Sequence, residues 1–192
     1  MITLATVRRA LAAHRPTAAD QPGTQLAAVA LMLAPAGPDL EALFIRRAVR
    51  ADDPWSGQVG LPGGRAEPRD ADLLATAVRE TREEVAVDLD GAERLGILDD
   101  IYPRTPVLPP VVVRPFVFGL ARRPRVTAGV EVDSAFWVSL GALLDPGARR
   151  EVTLDVRGVS RTFPAYVLGR DVIWGMTERI LTSFITAVSE QR

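Results

Sequence analysis

The segment that most constrains this chain is residues 57–87, GQVGLPGGRAEPRDADLLATAVRETREEVAV, in which a glycine-rich turn leads into a helix. On that helix Glu80, Glu83 and Glu84 are spaced three and four residues apart, so we expect them to be neighbours on one side. At about 100° per residue, a second set of side chains falls roughly on the opposite side and predicts a contact with the core. This set consists of Leu74, Val78, Thr81 and Val85.

Three clustered carboxylates repel one another unless a cation lies between them. Arg79 stands four residues before Glu83 and is placed to pair with it, but one arginine cannot neutralise all three charges. Carboxylate oxygens suit a hard divalent cation, so the acidic side predicts a Mg²⁺ or Mn²⁺ site. The glycines of the turn permit close backbone approach, so a carbonyl there can supply one more oxygen ligand. We expect the helix to begin near Asp70, as an N-cap or first-turn acid.

These residues resemble the Nudix box of the Nudix hydrolases, which reads glycine, five residues, an acid, seven residues and then Arg-Glu-apolar-x-Glu-Glu-x-Gly-apolar. The corresponding residues here are 64–87, which begin with Gly64 and end with RETREEVAV. Three features depart from the family pattern: Asp70 replaces the usual Glu, eight residues instead of seven precede Arg79, and Ala86 replaces the usual Gly. The extra residue is similar to the spacing of the coenzyme A pyrophosphatase branch of the family.

The resemblance implies one Nudix domain over residues 1–192, an α/β fold in which an α/β/α sandwich surrounds a mixed β-sheet. Residues 1–24 would form an N-terminal helix and a linker. The implied reaction is the metal-dependent hydrolysis of a diphosphate linkage in a compound X-P-P-Y, with Mg²⁺ or Mn²⁺ as the cofactor. The implied metal ligands are the carbonyl of Gly63 and the carboxylates of Glu80, Glu83 and Glu84.

The general base has several candidates. Many Nudix enzymes carry a glutamate in a loop comparable to the one at Glu131, where it binds metal or accepts a proton, and Asp133 is the substitute in this chain. A box glutamate could also take the proton, and Glu131 could be an ordinary loop acid. Arg79 would orient Glu83. The expected catalytic residues are therefore Glu84, Glu83, Glu131 and Arg79.

Four arginines are the expected substrate-binding residues, because the planar guanidinium suits phosphate oxygens. They are Arg46, Arg50, Arg65 and Arg104. The run from Arg46 to Arg50, which includes Arg47, could also be a charged loop beside a sheet, and the nearby Trp55 could stack on a base or anchor that loop. Arg104 lies in the proline-rich segment 99–110, which could form a wall of a pocket or be a structural crossing.

Two features favour coenzyme A or its derivatives as the substrate. They are the spacing within the box and the sequence Ile173-Trp174-Gly175-Met176-Thr177, which resembles the tail of the coenzyme A pyrophosphatase branch. Residues 43–48 lack the Thr/Ser pattern of that branch, so ADP-ribose, a dinucleoside polyphosphate or a nucleoside triphosphate is the first alternative. A non-catalytic Nudix domain that senses a nucleotide is the second alternative, although all three box carboxylates are present.

Composition excludes several other chemistries. The chain has no cysteine and no lysine, since all 23 of its basic residues are arginine, so thiolate nucleophiles, disulfides and Schiff bases are excluded. Its only histidine is His14, which we expect at the surface or in the last turn of the first helix. A net charge of −1 and the lack of a basic stripe argue against nucleic-acid binding, and no apolar run is long enough to span a membrane. We expect a cytoplasmic protein, and the sequence leaves a homodimer open.

The apolar pattern predicts the strands around the box. Residues 25–33 and 40–47 read as a hairpin, because the segment between them has turn chemistry. Residues 111–120 read as a strong strand, and Pro115 within it predicts an edge strand or a bulge. Residues 130–140 read as a further short strand with Glu131 at its beginning.

Overall fold

The computed structural model describes residues 2–19, 21, 23–51, 55–103, 110–156 and 158–190. Within those ranges the chain forms four helices and ten strands. In chain order they are α1 (Leu4–Ala13), β1 (Gln25–Ala36), β2 (Asp39–Arg47), β3 (Val59–Gly60), β4 (Gly63–Arg65), α2 (Leu73–Val85), β5 (Glu93–Ile97), β6 (Val111–Gly119), β7 (Val132–Ser139), α3 (Leu140–Leu144), β8 (Arg149–Val156), β9 (Val159–Leu168), β10 (Asp171–Trp174) and α4 (Gly175–Ser189).

The larger sheet is mixed, with a path of strands β3-β2-β1-β6-β5. Strand β1 pairs with β6 in parallel and with β2 in antiparallel orientation, so the predicted hairpin is confirmed. The short strand β4 also pairs with β1, and β7 pairs with β2. Strands β8, β9 and β10 form a second, antiparallel sheet that leads into α4.

Side chains of β1 alternate between two cores on opposite faces of the larger sheet, as the period of a strand requires. Ala28, Ala30 and Met32 belong to the core that contains residues of α2. Leu31 and Leu33 belong to the other core, which contains residues of α1 and α4. Helices therefore cover both faces of a mixed sheet, and the predicted α/β/α sandwich is confirmed. No helix in the described part of the chain is both long and apolar enough to span a bilayer.

Helix α2 starts two residues later than the expected beginning near Asp70. Asp72 is its N-cap, because the Asp72 side chain accepts a hydrogen bond from the backbone N–H of Ala75 at 2.8 Å. Asp70 lies outside the helix, where its carboxylate accepts hydrogen bonds from the side chains of Thr76 and Arg79. Sequence spacing alone could not distinguish the two aspartates, because both precede the helical periodicity by a suitable distance.

Helix α2 ends at Ala86, which has a φ of +55° and a ψ of +30°. This left-handed conformation is the one that glycine commonly occupies after a helix, because a Cβ atom crowds the following carbonyl. The family pattern has glycine at this position. The chain therefore carries a strained alanine at the end of the helix that holds the box glutamates.

We expect Ala86→Gly to raise the free energy of unfolding by about 0.5–1 kcal/mol, because the steric relief exceeds the added entropy of an unfolded glycine. Urea denaturation at neutral pH measures this difference. Ala71→Gly is the control, since Ala71 is exposed and does not have a positive φ. The control should lose stability slightly, and an equal loss at residue 86 would contradict the explanation.

Strand β6 is internal to the sheet, so of the two alternatives that Pro115 predicted, an edge strand or a bulge, the edge strand is wrong. The ladder with β5 is instead irregular, with a register shift between Arg94 and Gly96. Strand β1 flanks β6 on one side and β5 on the other. The carbonyl of Pro115 accepts from Leu98 N, just beyond the end of β5, and pairing resumes only at Ile101 with Val113. The proline is tolerated because its missing N–H falls where the ladder with β5 is already interrupted.

Candidate active site

The glycine-rich segment brings the backbone between β1 and α2. Residues Gly63 and Gly64 were expected in a turn, and the structure places them in strand β4, against Ala28 and Val29 of β1. A Cβ atom on Gly63, whose φ is +152°, would lie 2.2 Å from the carbonyl oxygen of Ala28. One on Gly64 would lie 2.4 Å from a carboxylate oxygen of Glu80. Gly63 therefore allows close approach to the backbone of β1, and Gly64 allows close approach to the Glu80 side chain on α2.

Glu84 is the most enclosed of the box glutamates, with 3% of its surface exposed. Its Oε2 accepts a hydrogen bond from the backbone N–H of Gly63 at 2.9 Å, and Arg47 Nη1 lies 3.4 Å from its Oε1. The pKa of Glu84 is raised to about 7, chiefly by burial and also by the negative charges of Glu80 and Glu131, although the Gly63 hydrogen bond and Arg47 oppose this effect. A buried carboxylate with incomplete compensation favours binding of a cation.

Glu80 lies one turn before Glu84 and shares its wall of the site. Burial raises the pKa of the Glu80 carboxyl, whereas the hydrogen bond from Arg79 Nη1 at 2.9 Å opposes this effect. Glu83 faces away, with half of its side chain exposed, and interacts with Arg69 and Arg79. The sequence analysis expected all three carboxylates on one side. Adjacent helix positions differ by about 100°, so Glu83 and Glu84 cannot point in the same direction.

Arg79 connects the helix to the segment before it. Its Nε and Nη2 donate to the two oxygens of Asp70, each at 2.9 Å, and Nη2 also donates to the carbonyl of Arg65 at 3.0 Å. The predicted pair with Glu83 is present at 3.2 Å. The hydrogen bonds with Arg79 hold the pKa of Asp70 well below its usual range. Arg79 therefore does more than contact Glu83, because it also holds Glu80 in position relative to the glycine-rich segment that ends at Arg65.

Glu80 and Glu84 line a cavity of about 610 Å³ together with two groups of side chains, one charged and one apolar, which we call its charged end and its apolar end. The charged end contains Glu80, Glu84 and Glu131 together with Arg47 and Arg50. The apolar end combines residues from β1, β6 and α4 with the loop before β3. These residues are Ala27, Val29, Trp55, Val59, Leu61, Val111, Val113, Met176 and Ile180.

Glu131 lines the same cavity, with about half of its side chain exposed. Arg50 Nη1 donates to Glu131 Oε1 at 2.8 Å, and Arg47 Nη2 is 4.0 Å from its other oxygen. Glu131 and Glu84 therefore share Arg47 as a neighbour, whereas Arg50 contacts Glu131. Asp133, the substitute candidate, is exposed and accepts a hydrogen bond from Ser134.

The other predicted substrate-binding arginines have different positions. Arg50 and Arg65 line the cavity. Arg46 does not line it, because its guanidinium forms an ion pair with Asp171 and donates to the carbonyl of Gly57 at 3.2 Å. Arg104 lies outside the described residues. The roles of all four arginines in substrate binding stay predictions.

Helix α4 contributes to the cavity, which the sequence did not predict. Met176, Thr177 and Ile180, from the first turns of this helix, line it. The resemblance at residues 173–177 marked this region but gave no reason to place the beginning of α4 beside the box. Long-range contacts place it there, because Asp171 of β10 forms an ion pair with Arg46 of β2 and a Cβ atom on Gly60 would lie 3.7 Å from the hydroxyl of Thr177.

The donor set fits a divalent ion that completes its coordination with other oxygens. Across the described ranges, no group of three or more Asp, Glu, His or Cys side chains is arranged to hold a metal. Mg²⁺ commonly takes one or two protein carboxylates and fills its remaining positions with water and substrate phosphate. Glu80 and Glu84, four residues apart on one helix and facing the same cavity, provide such a pair.

Known proteins are similar to this chain over the segment that contains these residues. A family model described as "NUDIX domain" matches residues 23–156. The chain is 31% identical over 138 residues to "Mitochondrial coenzyme A diphosphatase NUDT8" of Mus musculus, which covers 70% of the chain and 64% of that protein. It is 30% identical over 169 residues to "Uncharacterized Nudix hydrolase NudL" of Salmonella newport, with 87% and 85% covered. The chain spans less than two thirds of the length of the first curated relatives that it matches.

Among solved structures, the fold is similar to that of a MutT/nudix family protein from Enterococcus faecalis. The TM-score is 0.60 at 21% identity, and the match covers 90% of this chain and 64% of the other. At this identity the similarity concerns the fold alone, and it agrees with helices on both faces of a mixed sheet. Because the family model matches well over half of the chain, including both glycines and all three box glutamates, the protein belongs to the Nudix hydrolase family.

Proposed function

We propose that this protein hydrolyses the diphosphate linkage of a compound X-P-P-Y. The observation that supports this most directly is the cavity itself, in which the buried Glu84, the partly buried Glu80 and three arginines lie beside apolar side chains. The charged end suits a diphosphate, and the apolar end suits one of the groups that the diphosphate joins. The protein's family membership is consistent with such a reaction.

The cofactor in this proposal is Mg²⁺ or Mn²⁺, held by Glu80 and Glu84, with Glu83 and the Gly63 carbonyl as the further predicted ligands. When bound, the ion supplies neutralisation of phosphate charge and a lower pKa of water. Arg47 and Arg50 bind phosphate oxygens at the charged end. Glu131 accepts the proton of the attacking water, a role supported by its presence in the same cavity as Glu80 and Glu84. Arg79 orients Glu80 and Glu83.

The proposed substrate is coenzyme A or one of its derivatives. The mouse relative is named as a coenzyme A diphosphatase. The apolar end also suits the extended pantetheine arm, whose methyl and methylene groups can pack against its mostly aliphatic lining. Cleavage would release 3′,5′-ADP and a phosphopantetheine half.

A substrate screen tests this proposal. Coenzyme A, ADP-ribose, a dinucleoside polyphosphate and nucleoside triphosphates are each incubated with the protein and Mg²⁺ or Mn²⁺, and the products are separated by chromatography. We expect the highest kcat/KM with coenzyme A and no turnover when a chelator replaces the metal. A higher kcat/KM for another compound would reject the substrate, and ligand binding without product would identify a sensing domain. Reaction in ¹⁸O-labelled water then shows which phosphorus is attacked.

Further predictions concern the setting in which the protein works. We propose a cytoplasmic location and a small-molecule substrate rather than nucleic acid, in keeping with the net charge of −1. The mouse relative is named as mitochondrial, so location is tested directly by fractionation of cells that express the protein. Light scattering of the purified protein distinguishes a monomer from a homodimer.

A further inference from the structure

An irregular segment at residues 126–131, which we call the crossing segment, lies over the C-terminal end of α2. Thr127 N donates to the carbonyl of Val85 at 3.0 Å, and Gly129 N donates to the carbonyl of Glu84 at 2.8 Å. The last carbonyls of a helix have no donors within the helix. The crossing segment therefore supplies these donors and is attached to the same residue, Glu84, whose side chain lines the cavity.

Gly129 is the position of closest approach between this segment and the helix. A Cβ atom there would lie 2.3 Å from the carbonyl oxygen of Glu83 and 3.4 Å from the Cα of Glu84. The Glu83 oxygen belongs to the helix backbone and cannot rotate away. Gly129 does not have a positive φ, so the requirement for glycine is one of space rather than of backbone conformation.

Glu131 follows Gly129 by two residues and ends the crossing segment. Its carbonyl accepts a hydrogen bond from Ala48 N at 2.9 Å, and its carboxylate is bound by Arg50. The segment is thus fixed at both ends, to α2 near Gly129 and to the end of β2 at Glu131. Because only one residue lies between Gly129 and Glu131, a displacement at Gly129 also moves Glu131.

We propose that Gly129 is a positioning residue, whose missing side chain lets the crossing segment lie on α2 and thereby sets how far Glu131 reaches into the cavity. Any side chain at residue 129 pushes the segment outward, by at least 0.7 Å if the Cβ–oxygen distance is to grow from 2.3 to 3.0 Å. A misplacement of about 1 Å in a reacting group can cost roughly a hundredfold in rate. The kinetic part of this inference rests on the proposed hydrolase function, whereas its structural part does not.

The structural part is tested by amide hydrogen exchange of the Gly129→Ala variant, followed by NMR. We expect protection to fall at least tenfold at Ala48, whose N–H bonds the carbonyl of Glu131, and at residue 129 itself. Amides that pair β1 with β6 should keep their protection, which separates local displacement from global destabilisation. Gly91→Ala is the matched control, because a Cβ atom there would meet nothing within 4 Å. Unchanged protection at Ala48 would overturn the proposal.

The kinetic part uses a double-mutant cycle with Glu131→Gln. We expect Gly129→Ala to lower kcat by about 10- to 100-fold and to change KM less than twofold. If Gly129 acts through Glu131, the double variant is no slower than Glu131→Gln alone. Losses that multiply would show that Gly129 does not act through Glu131. Gly91→Ala should keep the wild-type kcat.

Two further outcomes, a lack of hydrolysis and a failure to fold, are also interpretable. If the wild-type protein hydrolyses none of the tested diphosphates, the proposed function fails, and hydrogen exchange still decides the positioning. If Gly129→Ala does not fold, Thr127→Pro replaces it, because this change removes the N–H that bonds the carbonyl of Val85. The same loss of protection at Ala48 supports the proposal, and wild-type protection there overturns it.

Discussion

Replacement of Glu84 by glutamine is expected to lower kcat by at least a hundredfold and, in the metal-free protein at pH 8, to raise the free energy of unfolding by about 3 kcal/mol. Burial raises the pKa of Glu84 from 4.5 to about 7. One pKa unit corresponds to about 1.4 kcal/mol, so the ionised side chain costs the fold about 3 kcal/mol. Glutamine keeps the shape and an oxygen for the Gly63 N–H but carries no charge. Turnover falls because the cation loses one of its two cavity-facing carboxylates.

The pH dependence gives this prediction its sign. Between pH 4.5 and about 7, the folded protein holds a proton on Glu84 that the unfolded chain has lost. The Glu84 contribution to stability therefore falls as the pH rises through that window and is constant above it. Urea denaturation of wild type and Glu84→Gln is carried out with a chelator present. The contributions of the other titrating groups cancel between the two proteins, so their free energies of unfolding should be equal near pH 4 and should differ increasingly towards pH 8.

Glu178→Gln is the matched control for this experiment. Glu178 is also a buried helical glutamate, with 2% of its surface exposed, but it lies outside the cavity and is bound by Arg149 Nε at 2.8 Å and by the hydroxyl of Thr182. Its replacement should lower stability and leave kcat unchanged. Near-wild-type turnover of Glu84→Gln, or a loss of stability at pH 8, would reject the role assigned to Glu84.

Asp70→Ala is expected to lower the free energy of unfolding by about 3 kcal/mol, the range found when one partner of a buried ion pair is removed. Only 5% of the Asp70 side chain and 13% of the Arg79 side chain are exposed. Loss of the two hydrogen bonds from Arg79 also frees this guanidinium to move with respect to Glu80 and the glycine segment. We therefore expect kcat to fall along with stability.

Asp72→Ala is the comparison, because Asp72 is an N-cap only two residues away. The loss of an N-cap costs about 1 kcal/mol, so the two variants should differ by about 2 kcal/mol in urea denaturation at pH 7. The pKa of Asp70 is lowered chiefly by the hydrogen bonds from Arg79, so its stabilisation is present above pH 3.8 and is lost as the pH falls further. Equal losses for the two variants would show that Asp70 acts as an ordinary helix-start acid.

The sequence predicted those features that depend on neighbours along the chain. The spacing of Glu80 and Glu84 placed both on one helical face, and turn chemistry predicted the hairpin of β1 and β2. The pair of Arg79 and Glu83 is also an i to i+4 contact. Each of these follows from local geometry, which a periodic pattern specifies directly.

The features that the sequence could not predict depend on contacts between distant residues. Gly63 reads as a turn residue, and only the neighbouring β1 makes it part of a strand. Pro115 reads as an edge residue, because nothing in the sequence shows where β5 ends. Arg46 reads as a phosphate ligand, but Asp171, which is 125 residues away in sequence, binds it in the structure. Gly129 carries no local signal, since its glycine is required by the backbone of another element.

The segment matched by the family model ends at residue 156, whereas Met176, Thr177 and Ile180 lie beyond it. Under the proposed function, the residues that hydrolyse the diphosphate and the residues of α4 that contact the substrate are thus encoded by consecutive, separate parts of the gene. Sequence changes confined to the last 36 codons would alter the part of the cavity formed by α4 while leaving every proposed hydrolytic group untouched. Such an arrangement allows substrate specificity to change during evolution without a change in the hydrolytic residues.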